Sequence, residues 1–465
     1  MPATIAETLA GFCTDLAPAD LPAAVRQRVR DLTLDFLAVA ARASMTESSR
    51  MVRRAAHALS GPGPSTVIGA PFRLAPQYAA LANGGSSHAI ELDDVTEESS
   101  LHPGVVVFPT ALAVAEAAHA DLQEFVTAVV LGYEVICRLG NAINIKSHYH
   151  RGFHPTATCG TFAAAAVAAR LMRLDASYAA HALAIAGSMA AGSMQYMDNG
   201  SLVKRVHPGM AAHAGIVAAH LASEGITGPR QIVEGPYGFL RAYSDGADPN
   251  CILANIGTCW EISSTAVKPH ACCRHNHAAV DAALEIVRRE DVAPGDVVGI
   301  RAYIPTSSVP IVAEPRAVKA APKNMVDAQF SLPYALAVAV RYRRALLEEY
   351  GPVALTDSEV RRLLGVIDCV GDEALDRVFP ATWPARVEIR TMSGHIYAAD
   401  ISDAKGSPKN PLTRDELRAK VRGLLDGVLA PADQAALIGT VENIEDLPDV
   451  TALLAPLASL GTARV

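Results

Sequence analysis

The stretch that decides the fold reads TFAAAAVAARL and covers residues 161–171. Alanine has the highest helix propensity of any residue, and side chains this small let neighbouring helices lie close together. The rest of the chain is also rich in alanine, which favours closely packed helices over sheet. The stretch therefore predicts a buried helix among other helices.

The helical pattern runs from Leu21 to about Thr265. Glycine- or proline-bearing loops separate its apolar stretches, and no fixed repeat period marks a solenoid. Asp20 and Pro22 are suited to the start of the first helix, in which Val25, Val29, Leu32 and Phe36 recur at helical spacing. Later helices are predicted at Pro109–Ala120, Glu124–Leu139, Thr161–Leu171 and Ala211–Ala222.

The pattern changes near Lys268. Apolar and polar residues alternate over 298–304 and over 387–391, and a Ser393-Gly394 turn leads into a returning run at 395–399. Alternation with period two predicts β-strands, and the turn predicts a hairpin. The helices predicted in this smaller α+β domain cover residues 278–288, 329–344 and 356–364.

A third part follows Gly406-Ser407-Pro408. Thr413 and Glu416 have the spacing of a capping box and predict a helix near Leu417–Leu425, which can rejoin the first helical part. The predicted division is a first helical part at 1–265, an α+β domain at 266–402, and a second helical part at 403–465.

Composition excludes several classes of protein. Half of the 465 residues are hydrophobic and 19% are charged, so the chain can bury a core and is not disordered. Forty basic against 48 acidic side chains give a net charge of -8, and no basic run is present, so nucleic acid is not expected as a partner. Small anions remain possible ligands.

Eight scattered cysteines indicate reduced thiols in a cytoplasmic protein, because a disulfide framework needs a denser pattern. The N-terminal residues lack the features of a signal peptide. The apolar windows Phe162–Met172 and Ala179–Met194 contain Arg170 or His181, so we expect buried helices there and no membrane contact.

Several catalytic motifs are missing from the sequence: GxGxxG after a strand, a P-loop, HExxH and the GxSxG nucleophile elbow. Dinucleotide, nucleoside triphosphate, zinc protease and α/β-hydrolase functions therefore have no support. The candidate chemistry lies in four segments that carry His, Lys and acidic residues.

The densest segment is His88–Thr96, which contains Glu91, Asp93 and Asp94 and is followed by His102. Carboxylates this close repel one another unless hydrogen bonds or cations compensate, and a nearby histidine separates pKa values for acid and base roles. The alternative is a solvated acidic loop that caps the next helix.

A second segment, His148–Thr158, runs into the small-residue helix. A histidine just before a helix N-terminus lies where free backbone N–H groups favour a carboxylate. His154, between Phe153 and Pro155, is the better candidate, and His148 and His150 are expected at the surface. A helix-capping or core histidine is the alternative for His154.

The third segment places Lys204, Arg205 and His207 before an alanine-rich helix, as an anion site or as an ordinary basic turn. The fourth is Lys268–His277, which contains the adjacent pair Cys272-Cys273. Adjacent cysteines are poorly placed to ligate one ion, and no second pair completes a zinc site, so no metal is expected.

Taken in order, these segments resemble the MmgE/PrpD family over nearly the whole chain. The resemblance rests on His88…Leu92-Asp93-Asp94…His102-Pro103-Gly104, Gly152-Phe153-His154-Pro155, Lys204…His207-Pro208-Gly209, Lys268…Cys272-Cys273…His277 and Asp327–Tyr334. It implies a mainly α fold, with a large all-helical domain and a smaller α+β lid domain. It also implies a cleft between the domains, a homodimer, and neither metal nor organic cofactor.

The resemblance also implies the site residues. The implied catalytic residues are Asp93, His102, His154, Lys204 and Lys268. The proposed substrate-binding residues are Glu91, Asp94, Thr96, Tyr149, Arg205, His207, Cys273 and Arg274. Two departures from the decarboxylase pattern matter. The acidic loop carries one additional residue before His102 and has Glu91 where an aspartate is expected, and Cys273 stands where a histidine is expected.

The implied reactions break a bond beside a carboxylate, which requires a base near the α-carbon and cations that bind the acid groups. Dehydration of a hydroxylated di- or tricarboxylate, as in 2-methylcitrate dehydratase, is the leading hypothesis because it needs only the shared acid and base groups. Epimerisation of an aspartate-derived dicarboxylate follows, and Cys273 puts cis-aconitate decarboxylation third. A metabolite-binding module without activity is the non-enzyme alternative.

Overall fold

The computed structural model describes residues 2–198, 201–458 and 460. It is 60% helical, which confirms the prediction of a mainly α protein. The chain forms two compact units. The large unit comprises Met1–Ala89, Asp93–Thr265 and Thr413–Val465, and the small unit comprises Ile90–Leu92 and Ala266–Leu412.

Helices dominate the first 265 residues. They are α1 (Ile5–Asp15), α2 (Ala23–Ser44), α3 (Glu47–Leu59), α4 (Pro76–Ser87), α5 (Gly104–Ala118), α6 (Leu122–Ala142), α7 (Ile145–His150), α8 (Pro155–Leu171), α9 (Ala176–Met189), α10 (Val203–Ser223), α11 (Phe239–Tyr243) and α12 (Asn250–Leu253). Short strands β1 (Pro62–Thr66), β2 (Arg73–Leu74) and β3 (Val95–Thr96) lie between them, and β4 covers Thr265–Ala266.

Helices and strands alternate in the remainder. The helices are α13 (His277–Arg289), α14 (Val309–Val312), α15 (Arg316–Lys319), α16 (Met325–Gln329), α17 (Leu332–Tyr342), α18 (Pro352–Thr356), α19 (Ser358–Leu364), α20 (Glu373–Asp376), α21 (Arg414–Leu425), α22 (Pro431–Glu442) and α23 (Thr451–Leu454). The strands are β5 (Val297–Ile304), β6 (Ile367–Gly371), β7 (Ala385–Thr391) and β8 (Ile396–Ile401).

Small residues set the close packing of α4, α8 and α10. A Cβ atom on Gly209 of α10 would lie 2.2 Å from the carbonyl oxygen of Leu81 in α4. One on Gly215 would lie 2.4 Å from the Cβ of Ala164 in α8. Both approaches exclude any larger residue, because real Cβ atoms do not come this close to other heavy atoms. The alanine- and glycine-rich composition is therefore what allows these helices to touch.

All four of the later predicted helices begin earlier than the sequence predicts, and two of them, α5 and α10, have a proline in their interior. Expected to start at Pro109 and Ala211, they begin at Gly104 and Val203, with Pro109 and Pro208 inside α5 and α10. An internal proline removes one backbone hydrogen bond and destabilises a helix. Both prolines are buried in the large unit, and the burial of these helices outweighs that cost.

Helix α6 is long and apolar enough to cross a membrane by length and composition, and 94% of its most apolar window is buried inside the structure. Asp121 caps its N-terminus through the backbone N–H of Glu124. Its side chains pack against α5 and α8 in the large unit. Such burial is typical of a core helix.

The C-terminal helices belong to the large unit. Lys420 of α21 lies 2.6 Å from Asp35 of α2, and both side chains are buried. The backbone N–H of Gly69 donates to the carbonyl of Leu457 at 2.9 Å. The large unit is thus built from segments far apart in the sequence.

The small unit contains a four-stranded sheet in the order β6-β5-β7-β8. Strand β5 is parallel to β6 and antiparallel to β7, and β7 and β8 form the predicted hairpin. Helix α13 packs on β7 and β8. Strand β6 was not predicted. The helix predicted at 329–344 is α17 and begins at Leu332, because Ser331 caps it by accepting from the N–H of Tyr334; Gln329 ends the preceding helix α16.

The small unit extends to Leu412, whereas the sequence placed a boundary at residue 402. Residues beyond 402 are tied to the small unit by hydrogen bonds. The N–H of Val267 donates to the carbonyl of Gly406 at 2.9 Å, and the N–H of Lys405 donates to Asp281 at 2.7 Å. The role of the small unit as a lid stays a prediction.

Candidate active site

The acidic loop after α4 is buried. Asp93 and Asp94 are 3% and 5% exposed, so the alternative of a solvated loop is wrong. The loop does cap the next helix, as that alternative also predicted: the N–H of Gly104, the first residue of α5, donates to Asp94 at 2.9 Å. The hydroxyl of Tyr133 donates to the other carboxylate oxygen of Asp94. Burial raises the pKa of Asp94 to about 6.

Asp93 joins two histidines. Its Oδ2 atom lies 2.8 Å from Nδ1 of His88 and 3.0 Å from Nδ1 of His102. Nδ1 of His102 also lies 2.7 Å from the carbonyl oxygen of Asp94. An ionised carboxylate and a carbonyl only accept hydrogen bonds, so both Nδ1 atoms carry a proton. In the neutral rings, the lone pair is therefore on Nε2.

His102 is the accessible member of this group. Its side chain is 12% exposed, against 0% for His88. The hydroxyl of Thr156, in the first turn of α8, accepts a hydrogen bond from the backbone N–H of His102 at 3.0 Å. Within the described residues, the buried Nε2 atom of His88 has no hydrogen-bond partner.

A second histidine pair lies beside the first. The Nδ1 atoms of His154 and His207 are 3.2 Å apart, so one ring donates to the other. The rings of His88 and His154 are 6.0 Å apart, which links the two pairs. Tyr196 packs edge-on against both His154 and His207. The five residues His88, Asp93, His102, His154 and His207 are called the histidine cluster below.

Burial keeps most of these imidazoles neutral. It lowers the pKa of His88 and of His207 to about 4. The pKa of His154 falls well below its usual value, first through burial and then through the neighbouring His88 and His207. The positive charge of Lys204 acts in the same direction on all three. Neutral imidazoles at pH 7 can accept a proton.

Lys204 lies in the first turn of α10, not in a loop before the helix. The side chain is buried, at 8% exposure. A buried ammonium group near neutral histidines can bind a carboxylate. The guanidinium of the adjacent Arg205 donates to the hydroxyl of Ser48, just after the start of α3, at 2.8 Å.

Other predicted binding residues make contacts outside the histidine cluster. The hydroxyl of Thr96 lies 2.6 Å from that of Ser99, and the hydroxyl of Tyr149 donates to Ser100. His148 was expected at the surface, which is wrong. It is buried between the carbonyl of Tyr243 and the hydroxyl of Thr158, because α7 turns it inward.

The small unit holds the remaining predicted residues. Lys268 Nζ lies 3.5 Å from Glu91 Oε2, and both side chains are buried. Glu91 has a positive φ of 56°, a backbone conformation that is costly for a residue with a Cβ. Cys273 donates its backbone N–H to Gln329, and Arg274 donates to the carbonyl of Lys405.

Three residues of the histidine cluster have the side chains of a metal site. The donor atoms of His88, Asp93 and His102 lie within 4.8 Å of one another. Two imidazoles and a carboxylate are ligands for several divalent ions. The Nδ1 atoms of the two histidines and Oδ2 of Asp93 are already joined by hydrogen bonds. The same three side chains are therefore also arranged to transfer a proton.

The chain belongs to the MmgE/PrpD family. The family model of the MmgE/PrpD N-terminal domain matches residues 7–252, and that of the MmgE/PrpD C-terminal domain matches residues 270–446. This confirms the resemblance seen in the sequence. Together with the relatives that follow, it identifies a lyase-type enzyme.

Three similar proteins match over nearly their full length. The "Cis-aconitate decarboxylase-like protein oryM" of Aspergillus oryzae is 29% identical, over 96% of this chain and 96% of its own. A cis-aconitate decarboxylase of Aspergillus terreus is 27% identical, over 95% and 94%. The human cis-aconitate decarboxylase is 26% identical, over 97% and 94%.

Sequence reasoning left two residues out of the site. His88 belongs to the acidic loop, and its five-residue spacing from Asp93 is visible in the sequence, but the family resemblance implies no role for it. Tyr196 lies in the short 3₁₀ helix Met194–Asp198, which carries no motif, so no sequence signal identified it.

Proposed function

We propose that this chain is a cofactor-independent lyase that transfers a proton at a carbon atom beside a carboxylate of a di- or tricarboxylic acid. One observation supports this most directly: Asp93 accepts hydrogen bonds from His88 and from the partly exposed His102. A carboxylate in this position orients an imidazole and stabilises it when it takes up a proton.

His102 is the proposed proton carrier. With Nδ1 held by Asp93 and the carbonyl of Asp94, its Nε2 atom exchanges the proton with substrate. Asp93 stabilises the imidazolium form by its negative charge. A positioned group of this kind contributes about 10²–10⁴-fold in rate.

Cations are proposed to bind the acid groups of the substrate. Lys204 of the large unit is buried near neutral histidines, and Lys268 of the small unit, buried beside Glu91, is included because the family resemblance implies it. Charge that spreads into a carboxylate during the reaction is stabilised by such fixed positive groups. His154 and His207 stay neutral, so they do not compete with the lysines for the same anion.

Decarboxylation of a cis-aconitate-like acid is the reaction we propose first, because the similar proteins carry that name across nearly their whole length. The bond between a carboxylate carbon and the adjacent CH₂ breaks and CO₂ leaves. The electron pair of the broken bond forms a new double bond between the former CH₂ and the central carbon. The electrons of the original double bond move to its far carbon, which takes a proton. His102 in its imidazolium form supplies that proton.

Dehydration of a hydroxylated acid is the second candidate. Cys273 replaces a histidine of the decarboxylase pattern, which favours a reaction that needs only one positioned base. In this reaction His102 takes the proton, the hydroxyl leaves as water, and a double bond forms.

A small di- or tricarboxylate is the proposed ligand in both cases. The homodimer and the cytoplasmic location stay predictions.

The test uses the full chain with cis-aconitate, citrate and 2-methylcitrate. Release of CO₂ from cis-aconitate identifies a decarboxylase, and new ultraviolet absorbance from either hydroxy acid identifies a dehydratase. His102→Ala should lose most of the rate, whereas His150→Ala, an exposed histidine on α7, should retain it. Solvent deuterium entering recovered substrate without an alkene or CO₂ would indicate an epimerase and contradict both reactions.

A further inference from the structure

One sequence motif of the small unit has no part in the proposed mechanism. It runs from Asp327 to Tyr334 and is one of the segments that carry the family resemblance. Its third residue, Gln329, is the last residue of α16, and its side chain is fully buried. Glutamine is seldom buried, because its amide must then find hydrogen-bond partners inside the protein. The partners of Gln329 therefore indicate what this residue does.

The amide nitrogen of Gln329 joins two backbone segments that are far apart in the sequence. Nε2 donates to the carbonyl of Ile90 at 2.8 Å and to the carbonyl of Ala271 at 3.0 Å. The amide oxygen is buried and, among the described residues, has no hydrogen-bond partner. An unpaired buried oxygen costs free energy, which a methionine of about the same size would not lose. The bridge between the two carbonyls is thus what the glutamine provides here and an apolar residue does not.

The backbone of Gln329 binds the same segment again. Its carbonyl accepts the N–H of Cys273 at 2.9 Å and the side-chain amide of Asn276 at 3.3 Å. Together with the bond to Ala271, these contacts fix the residues that follow Lys268 to the end of α16.

The bond to Ile90 fixes the peptide group that precedes Glu91. Glu91 has a φ of 56°, and this left-handed conformation is costly for a residue with a Cβ. A hydrogen bond to the preceding carbonyl opposes rotation of that peptide group, so it helps to hold the conformation. In it, Oε2 of Glu91 lies 3.5 Å from Nζ of Lys268. One amide nitrogen therefore restrains the backbone on both sides of this buried ion pair.

We infer that Gln329 is a positioning residue, which fixes Glu91 and Lys268 relative to each other and so holds the ammonium group of Lys268 ready for a substrate carboxylate. All the contacts that support the inference lie within the small unit. The inference rests on the proposed function, because Lys268 is one of the cations proposed to bind the acid. Gln329 acts through Lys268 and is not assigned a contact with the substrate.

The first test is structural and needs no substrate. Gln329→Met removes both side-chain hydrogen bonds and keeps about the same volume. Its crystal structure should show residue 91 outside the left-handed region and the contact between Glu91 and Lys268 lost. Gln329→Asn is one methylene shorter and cannot span both carbonyls, so it gives the same comparison if the methionine variant does not fold. A variant in which the φ of Glu91 and its contact with Lys268 are unchanged would overturn the inference.

The second test measures binding of cis-aconitate by calorimetry. Gln329→Met should raise the Kd by about tenfold, since a hydrogen bond to a charged group is weakened. Lys268→Met should raise it at least as much. The double variant should bind no more weakly than Lys268→Met alone, because Gln329 acts through Lys268. Effects that multiply in the double variant would show that Gln329 acts independently of Lys268, and the inference would be wrong.

A matched control exists in the large unit. Gln434 of α22 is also buried, and its Nε2 atom donates to the carbonyls of Leu425 and Leu429. Gln434→Met loses the same kind of bridge, so it should lower the melting temperature and leave the Kd unchanged. If it raises the Kd as much as Gln329→Met does, a general loss of stability explains both variants and the inference fails.

The outcomes separate the two proposals. Loss of the contact between Glu91 and Lys268 in Gln329→Met, with no acid bound or turned over by the wild-type chain, would support the positioning role and contradict the proposed function. Turnover by the wild-type chain, with the contact and the Kd unchanged in Gln329→Met, would support the function and contradict the positioning role.

Discussion

His102 Nδ1 lies 3.0 Å from Asp93 Oδ2. The side chain of His102 is partly exposed, whereas that of Asp93 is buried. The contact fixes which ring nitrogen carries the proton and leaves Nε2 for chemistry. The proposed mechanism depends on this contact more than on any other in the large unit.

Asp93→Asn should lower kcat by about 10²–10⁴-fold. The amide has no charge to stabilise the imidazolium form of His102, although its shape is nearly that of the carboxylate. The melting temperature should stay close to the wild-type value. Asp433→Asn, at an exposed position of α22, is the control and should change neither quantity. A near-normal rate for Asp93→Asn would remove Asp93 from the mechanism.

Tyr133→Phe should destabilise the large unit by about 1–3 kcal/mol, because it removes a hydrogen bond to the buried carboxylate of Asp94. The same loss should raise the pKa of Asp94 further. Urea unfolding at pH 7 measures the difference. Tyr237→Phe is the matched control, since Tyr237 is 96% exposed, and equal stability of the two variants would contradict the structural role of this contact.

Protein stability should fall as the pH drops from 6.5 to 4. Burial lowers the pKa of His148 to about 4, so in this window the unfolded chain binds a proton that the folded chain does not. For one such histidine, the free energy of unfolding falls by up to about 1.4 kcal/mol for each pH unit in this window. His148→Gln should reduce the pH dependence of the unfolding free energy by this amount. His150→Gln, at an exposed neighbour, should leave it unchanged, and equal slopes in all three proteins would refute the assignment.

Chelation should leave the rate unchanged. His88, Asp93 and His102 have metal-ligand side chains, yet the proposed chemistry uses their protons and lone pairs. Prolonged dialysis against EDTA, followed by assay, checks this expectation. Loss of activity that a divalent ion restores would show that the three residues act as ligands.

Much of the fold was readable from periodicity. The alternation at 298–304 predicted β5, observed at Val297–Ile304, and the hairpin of β7 and β8 followed from Ser393-Gly394. Strand β6 was missed because it has five residues and pairs with β5, far away in sequence. Such pairing leaves no local pattern.

The site was predicted in part. The acidic loop and His154 were singled out by residue type, and the structure brings Asp93, His102 and His154 into one cluster through His88. The contact of His154 with His207 depends on packing between α8 and α10, which small residues permit but local sequence does not specify. The burial of His148 was missed for the same reason: its partners come from other segments.

The measurement that tests the central proposal most directly is proton NMR of cis-aconitate turnover in D₂O by the wild-type chain and by His102→Ala. We expect loss of CO₂ with one solvent deuteron on a carbon of the wild-type product, and about 10²–10⁴-fold slower product formation by the variant. If the variant forms the deuterated product at the wild-type rate, His102 is not the proton carrier and the proposed mechanism is wrong.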